Sequence, residues 1–185
     1  MAQPKIILLF SGKRKCGKDF LCEKLKATIG ENKCNLIRIS GPLKQLYATN
    51  HNLIWDKLMS SDLYKEKYRQ DMINWSDDIR RKDPGYFCKA ACKSAPQKDI
   101  WIVSDIRRKS DIKWFKDNYS SIKIIRIYAD LEVRKARGWI FTSGVDDVVS
   151  ECDLDDFSPW DMEFANNNNL EYKKTIEEIV NILPL

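Results

Sequence analysis

Residues 5–19 read KIILLFSGKRKCGKD, a short apolar run followed by a basic loop that contains two glycines. From Gly12 onward the loop fits the phosphate-binding pattern G-x-x-x-x-G-K-[ST], except that Asp19 stands at its last position. Apolar residues at helical spacing follow over residues 17–29. The stretch therefore predicts a buried strand, a phosphate loop and an amphipathic helix in immediate succession.

The chemistry of such a loop comes from backbone N–H groups that converge on an anion at a helix N-terminus. Gly12 and Gly17 permit the turn and the close approach, and Lys18 would reach the outer phosphates of ATP. Asp19 could serve only as a partner of the helix dipole, but a carboxylate oxygen also suits Mg²⁺, directly or through water. The loop carries three more cations that can offset the added negative charge, Lys13, Arg14 and Lys15. We therefore predict a working site with altered metal chemistry.

Length and composition favour one globular domain over residues 1–185, with 43% hydrophobic and 32% charged residues. No run near the start is long enough for a signal peptide or a membrane span, so we expect a cytoplasmic protein, with a peroxisomal pool left open. The six cysteines form no CxxC pair and are expected to be reduced thiols. The single histidine, His51, argues against His-based metal sites and against Ser-His-Asp or Cys-His catalysis.

Further strands are predicted over residues 35–39, 100–103, 122–128 and 162–165, with a closing helix over 170–183. Strands that alternate with helices predict an open parallel α/β sheet of about five strands, whose ligands bind at the carboxyl ends of the strands. Residues 62–81 are the clearest helix, with an apolar stripe formed by Tyr64, Tyr68, Met72, Trp75 and Ile79. We interpret this stripe as core.

Basic residues recur where the predicted strands end. Arg107 and Arg108 follow the third strand, and Lys44 follows the turn after the second. Arg134 and Arg137 share a helical face before residues 140–147, a predicted lid. The remaining cations of interest are Lys65, Arg69 and Arg80, which share one flank of the helix over 62–81, and Arg126 within a strand. Each alone could be a solvated surface charge, but together they would line a phosphate-binding rim.

A site rich in arginine and poor in histidine indicates a particular kind of acceptor. An alcohol acceptor would need a carboxylate base, whereas a phosphate monoester with a second pKa near ~6 is already charged at neutral pH and attacks unaided. The sequence therefore favours a kinase that acts on an already phosphorylated small molecule.

With these residues identified, the chain closely resembles animal-type phosphomevalonate kinases. The resemblance runs in order through SGKRKCGKDF, SGPLK, YKEKYRQDMINW, DPGYFC, IWIVSDIRR, SDIKWF, RGWIFTSGVDD and SECDLDDF, and covers nearly the whole chain. It implies a P-loop fold like that of nucleoside monophosphate kinases, with a phosphate loop at 12–19, an acceptor-binding helical region at about 42–95 and a short lid at about 130–147. It also implies transfer of the ATP γ-phosphate to (R)-5-phosphomevalonate in isoprenoid and sterol biosynthesis.

The resemblance also implies roles for individual residues. The loop residues Gly12, Lys13, Arg14, Lys15, Cys16, Gly17, Lys18 and Asp19 would hold ATP and Mg²⁺, together with Arg134, Arg137 and Asn167. The acceptor would be bound by Lys44, Lys65, Arg69, Arg80, Arg107, Arg108, Arg126 and Asn166. Catalysis would depend on Lys18, Asp19, Arg107, Arg108 and Arg137. Cys16, where relatives often carry serine, and the run FANNNN depart from the pattern, and the second departure leaves the adenine contacts open.

Two alternatives remain open at this stage. A nucleoside or deoxynucleoside monophosphate kinase would need a pocket that reads a base, where Trp75 or Trp101 could stack. A non-catalytic phosphate- or nucleic-acid-binding protein would use the basic faces with interleaved aromatic side chains. The expected partners are small molecules, with neither nucleic acid nor membrane, and nothing in the sequence requires an oligomer.

Overall fold

Five parallel strands form the central layer of the molecule, in the order β2-β3-β1-β4-β5. The computed structural model describes residues 3–59 and 63–184. Helices connect the strands and flank the sheet, as an open parallel α/β sheet requires. In chain order the described elements are β1 (Ile6–Ser11), α1 (Lys18–Ile29), β2 (Cys34–Ile37), α2 (Ser40–Asn50), α3 (Trp55–Met59), α4 (Leu63–Lys82), α5 (Tyr86–Lys93), β3 (Ile100–Val103), α6 (Lys109–Asn118), β4 (Ile122–Tyr128), α7 (Leu131–Ala136), α8 (Val149–Cys152), β5 (Met162–Ala165) and α9 (Asn169–Asn181).

The central strand β1 shows why the first apolar run of the sequence is uninterrupted. All six of its residues are buried, because β3 and β4 flank it and helices cover both faces of the sheet. Leu8 and Phe10 pack in the layer that contains α1 and α9. Ile7 and Leu9 face the opposite layer, which contains α5 and α6. The phosphate loop therefore starts in the middle of the carboxyl edge of the sheet.

Helix α4 confirms the interpretation of its apolar stripe as core. Met72 is buried with Tyr47 and Leu58 in a cluster that joins α2, α3 and α4. Trp75 packs against both this cluster and the larger one beneath the sheet. The helix ends one residue later than predicted, and residue 62, its predicted first residue, lies outside the described part of the chain.

Several predicted boundaries are corrected by the structure. The strand predicted over 35–39 ends at Ile37, because the N–H groups of Ile39 and Ser40 donate to the carboxylate of Asp105 and start α2. Helix α9 begins at Asn169, one residue early, since the Asn168 side chain accepts from two backbone N–H groups of its first turn. The short helices α3 and α8 were not predicted, because four or five residues are too few for a periodic pattern.

The cysteines and the lengths of the apolar helices are the two remaining features for which the sequence provides an expectation. All six cysteines lie in the described ranges and are free thiols, four of them buried. Across residues 3–59 and 63–184, no helix has the length and apolar character needed to cross a membrane.

Candidate active site

The phosphate loop lies between the end of β1 and the start of α1. Gly17 has a φ of 85°, a left-handed conformation that lets α1 begin immediately after the loop. At Gly12 a Cβ atom would lie 2.4 Å from the carbonyl oxygen of Ile127 on β4. A larger residue at position 12 would therefore clash with this strand. Both glycines of the motif therefore have a steric reason in this structure.

Lys18 and Asp19 form the first turn of α1. The side chain of Lys18 is buried, and its ammonium group donates to Asp19 Oδ1 at 2.7 Å and to the carbonyl oxygen of Ser104. The Asp19 side chain remains 73% exposed and lines a cavity beside the loop. Desolvation opposes its ionisation, but the charge and hydrogen bond of Lys18 lower the pKa of the Asp19 carboxyl. The site thus presents an ionised, accessible oxygen ligand next to the loop.

Side chains from the C-terminal third of the chain hold the backbone of the loop. Arg134 Nε donates to the carbonyl oxygen of Arg14 at 2.8 Å, and Arg137 donates to that of Cys16 at 3.1 Å. Asn166, only 4% exposed, donates to the same Cys16 oxygen at 2.8 Å, and its own carbonyl accepts from Arg137. The predicted shared face of Arg134 and Arg137 is therefore directed at the loop.

Two residues that the resemblance assigns to the acceptor, Asn166 and Arg126, do not line the two larger cavities beside the loop, and their roles toward the acceptor stay predictions. Asn166 lies beneath the loop, where a Cβ atom on Gly17 would approach its amide nitrogen to 2.2 Å, so its side chain is committed to the loop backbone. Arg126 lies on β4, with its guanidinium 5.3 Å from the ring centroid of Trp160, and lines a smaller cavity between the loop and α8.

Two residues assigned to the nucleotide are occupied by contacts within the protein. The N–H group of Cys16 donates to the Lys13 carbonyl oxygen at 3.2 Å, and its thiol is buried in the core. Asn167 accepts the N–H group of Asp130 at 2.8 Å, at the base of α7. Both placements give these residues a part in shaping the donor side, and their contact with the nucleotide stays a prediction.

Two neighbouring cavities open beside the loop. The loop cavity is lined by the phosphate loop, the start of α1 and one flank of α4. The arginine cavity lies between α2, α4 and the segment that follows β3. Three cations line both cavities: Lys65, Arg69 and Arg107. These cations therefore stand where anions bound in the two cavities would approach each other.

The arginine cavity has a second cationic group and an apolar wall. Its further cations, which do not line the loop cavity, are Lys44, Arg80 and Arg108. Leu43, Met72 and Ile73 contribute apolar surface. The described lining therefore combines positive charge with a short apolar stretch.

Sequence reasoning identified the cations of this region and missed the carboxylates that hold them. Among the described residues, four such ion pairs involve cations that line the arginine cavity: Arg69 with Glu66, Arg80 with Asp111 at 2.6 Å, Arg108 with Asp77, and Arg107 with Glu151. The acidic run at residues 150–156, SECDLDD, was a signal for the last of them, because a carboxylate-rich run has to find cations or water. Asp77 and Asp111 gave no comparable local signal.

Lys44 is a cation of the arginine cavity whose pKa lies well below its ordinary value. It is half-buried, and burial together with repulsion from Lys65, Arg38 and Arg107 lowers the pKa of its ammonium group to about 8, against the opposing effect of Asp105. Burial also lowers the pKa of Lys65. The charge of this part of the cavity therefore depends on pH.

The segment that was predicted as a lid lies across the phosphate loop. Arg14 pairs with Asp146 at 2.9 Å, and the same carboxylate accepts from Trp139 Nε1 at 3.2 Å. Lys13 donates to the carbonyl oxygen of Glu151 and to the carboxylate of Asp155, both at 2.7 Å. Arg14 is thus paired with the predicted lid, and Lys13 is paired with groups of the segment that follows it.

Comparison with known proteins identifies the family to which this site belongs. A family profile described as Phosphomevalonate kinase matches residues 10–121. A curated Phosphomevalonate kinase from Drosophila melanogaster is 46% identical over 183 residues, covering 96% of this chain and 94% of the relative. The chain belongs to the phosphomevalonate kinase family. Within this member of the family, the matched region contains the phosphate loop and all the cations of the arginine cavity.

Solved structures show the fold of this phosphomevalonate kinase family member. The protein TT1252 from Thermus thermophilus superposes with a TM-score of 0.57 at 12% identity, covering 99% of this chain and 100% of that one. The Mycobacterium tuberculosis APS kinase in complex with AMPPNP and APS superposes with a TM-score of 0.50 at 11% identity, covering 97% and 98%. At these identities the likeness concerns the fold alone, and the predicted P-loop kinase architecture with five parallel strands is confirmed.

Proposed function

We propose that this chain transfers the γ-phosphate of ATP to (R)-5-phosphomevalonate, which yields mevalonate 5-diphosphate and ADP. The family and the 46% identical relative support this activity. The observation that carries the proposal at the level of the site is the set of cations shared by the two cavities, Lys65, Arg69 and Arg107. Transfer between two phosphates brings polyanions together, and cations at their boundary reduce the repulsion and stabilise the charge of the transition state.

The acceptor supplies its own nucleophile in this reaction. A phosphate monoester has a second pKa near ~6 and is mostly dianionic at neutral pH, so its oxygen attacks without a base. The new bond joins that oxygen to the γ-phosphorus, and the bond between the γ-phosphorus and the bridging oxygen of ATP breaks as ADP leaves. Asp105 lines the arginine cavity, but both its oxygens accept backbone N–H groups, of Ile39 and Ser40, which fits a structural role.

The two cationic groups support one orientation of the acceptor. 5-Phosphomevalonate carries a phosphate at one end and a carboxylate at the other, joined by a short carbon chain. The phosphate would meet Lys65, Arg69 and Arg107, which face the loop cavity, and the carboxylate would meet Arg80 and Arg108. The apolar wall would contact the carbon chain between them, so charge and polarity alternate along the cavity as they do along the substrate.

ATP would bind at the phosphate loop, with Lys18 at the outer phosphates and Asp19 as the ligand of Mg²⁺ or of its waters. The donor set fits this ion, because Asp19 is an exposed, ionised carboxylate beside the loop. Mg²⁺ in such sites is commonly held by one or two carboxylates together with substrate phosphates and water. When bound, Mg²⁺ would neutralise charge on the transferring phosphate.

A nucleoside monophosphate kinase is the alternative that the cavity argues against. Reading a base needs a stacking surface, yet among the described residues that line the arginine cavity none is aromatic. Trp101 is 3% exposed within the core, and Trp75 packs against Tyr47 with ring centroids 5.4 Å apart. Neither tryptophan lines a cavity beside the loop, so we place this alternative second.

Several further expectations belong to the same proposal. The aromatic stripe of α4 packs against the core, so this stripe does not supply the interleaved surface aromatics that the nucleic-acid-binding alternative needs. We propose residues 130–147 as a lid and residues 42–95 as the acceptor-binding region, acting within a single domain over 1–185. Small-molecule partners, a monomer and a cytoplasmic location, with a peroxisomal pool left open, complete the proposal.

The experiment that tests the proposed function is a coupled assay of ADP release with Mg²⁺ and ATP. The acceptors to compare are 5-phosphomevalonate, mevalonate and a panel of nucleoside monophosphates. Turnover with 5-phosphomevalonate alone is the expected result, together with isolation of mevalonate 5-diphosphate. Preferential turnover of any nucleoside monophosphate would favour the alternative, and turnover of mevalonate would contradict the need for a charged nucleophile.

A further inference from the structure

Asp111 is a buried carboxylate in the first turn of α6, directly behind the arginine cavity. It is only 1% exposed, and its Oδ1 atom accepts from the Arg80 guanidinium at 2.6 Å. Its Oδ2 atom accepts the backbone N–H groups of Arg107 at 3.3 Å and of Arg108 at 3.1 Å. One carboxylate thus fixes the guanidinium of one cavity arginine and the backbone of two others.

Asp77 makes the complementary contact from the other side. It lies on α4, and its Oδ1 atom accepts from the guanidinium of Arg108. The two pairs are reciprocal: Asp77 and Arg80 lie three residues apart on α4, and Arg108 and Asp111 lie three residues apart at the start of α6. Each carboxylate therefore holds the arginine of the opposite segment.

This crossed arrangement would orient both guanidinium groups before any ligand binds. The side chains of Arg80 and Arg108 are only 11% and 13% exposed, and Arg80 also lies over the ring of Phe87, 5.2 Å from its centroid. A guanidinium carries five N–H donors, so one that is held by a carboxylate on one side keeps donors for an anion on the other. Fixing a long side chain in advance removes part of the entropy cost of binding.

We propose that Asp77 and Asp111 are positioning residues that orient Arg80 and Arg108 as the receptor for the carboxylate of the acceptor. The inference rests on the proposed function, since it assigns one end of 5-phosphomevalonate to this pair. The competing explanation is that the four residues only hold α4 against α6. The two explanations differ in what they predict for the preference for a carboxylate over a carboxamide. Residues that only hold the two helices together have no reason to affect one end of the acceptor more than the other.

The test compares Asp77→Asn and Asp111→Asn with the control Asp117→Asn. Asp117 lies on α6, as Asp111 does, and its carboxylate is 54% exposed and pairs with Lys113. Each variant is assayed with 5-phosphomevalonate and with its analogue in which a carboxamide replaces the carboxylate. We expect the KM for 5-phosphomevalonate to rise by about 10- to 100-fold, the range that is found when a hydrogen-bonding partner that orients a metal ligand is mutated. In Asp77→Asn, whose carboxylate contacts Arg108, the KM for ATP should stay unchanged. In both variants the preference for carboxylate over carboxamide should shrink.

Combining the substitutions checks that each carboxylate acts through its arginine. In an Arg108→Met background, Asp77→Asn should raise the acceptor KM no further, since its target is gone. An unchanged carboxylate preference in Asp77→Asn, or a KM that falls because the carboxylate had competed with the substrate, would overturn the proposal. So would parallel increases in the KM for ATP and for the acceptor.

Stability and function are separated by two further observations. If Asp111→Asn does not fold, Asp77→Asn decides the matter alone, because the Asp77 side chain is one-third exposed (33%) and more tolerant of replacement. Wild-type enzyme and Asp117→Asn test the proposed function itself. If they form no mevalonate 5-diphosphate, the function fails. If they are active while Asp77→Asn keeps a normal acceptor KM and carboxylate preference, only the positioning role fails.

Discussion

Replacing Lys44 by Met tests whether the arginine cavity binds its ligand through a lysine that titrates near neutral pH. The pKa of Lys44 is about 8, because burial and the neighbouring cations disfavour its charged form. At that pKa about 90% of the enzyme carries the charge at pH 7 and about 10% at pH 9. The acceptor phosphate is already dianionic above pH 7, since its second pKa is ~6, so its own ionisation cannot produce a decline in this range.

The expected result is an alkaline limb in the pH profile of kcat/KM for 5-phosphomevalonate. If the charged lysine is required, kcat/KM should fall by about tenfold between pH 7 and pH 9, with a midpoint near 8. Lys44→Met should lower kcat/KM at pH 7 by about 10- to 100-fold, which corresponds to a lost charge-assisted hydrogen bond of about 1.5–3 kcal/mol. The variant should also flatten the limb between pH 7 and pH 9.

The assay is initial-rate ADP release at saturating ATP and Mg²⁺ over this pH range, with Lys116→Met, on the exposed face of α6, as a matched control. Thermal unfolding gives an independent measurement. Because the folded-state pKa lies below the unfolded value of about 10.4, the charged lysine destabilises the native state, and the penalty is lost as pH rises from about 8 to about 10.4. Lys44→Met should therefore raise Tm at pH 7 and not at pH 10.5. An unaltered alkaline limb in Lys44→Met would refute the reasoning and would favour Lys65 as the residue whose titration produces the limb.

Three other predictions concern the donor side and the boundary between the cavities. Lys18→Met should reduce kcat by about two to three orders of magnitude without unfolding the protein, because it removes a charge directed at the transferring phosphate. Near-normal turnover, compared with Lys24→Met on the exposed face of the same helix, would remove Lys18 from the site. Asp19→Asn should raise the Mg²⁺ concentration needed for half-maximal rate, whereas an unchanged Mg²⁺ titration would leave Asp19 only as a partner of the helix dipole. Arg107→Met should raise the KM for ATP and for 5-phosphomevalonate together, since Arg107 lines both cavities. An increase confined to one substrate would assign it to that substrate's side.

The sequence alone determined the elements whose signals are local. The apolar run of β1, the glycines of the phosphate loop and the periodic stripe of α4 each follow from rules that operate within one or two turns of chain, and the structure confirms them. Lys44, Arg107 and Arg108 were also identified, because the carboxyl ends of parallel strands meet at one edge of the sheet. The other cations of the cavity, Lys65, Arg69 and Arg80, were identified because they share one flank of α4.

Pairings between distant segments could not be predicted in this way. Arg80 meets Asp111 from 31 residues away, and the Asn166 amide meets the Cys16 carbonyl from 150 residues away. These contacts depend on the strand order, which places β3 and β4 on either side of β1, and no local pattern of residues encodes that order.

Asp19 and Asp111 show the physical reason most directly. Each is an aspartate in the first turn of a helix that follows a buried strand, so sequence reasoning treats their carboxylates alike. In the tertiary structure the Asp19 side chain is 73% exposed, so it can meet a hydrated cation. The Asp111 side chain is only 1% exposed, so its carboxylate needs hydrogen-bond donors from the protein. Residue type and spacing decided which groups the site contains. Packing decided which of them face a substrate and which hold the others in place.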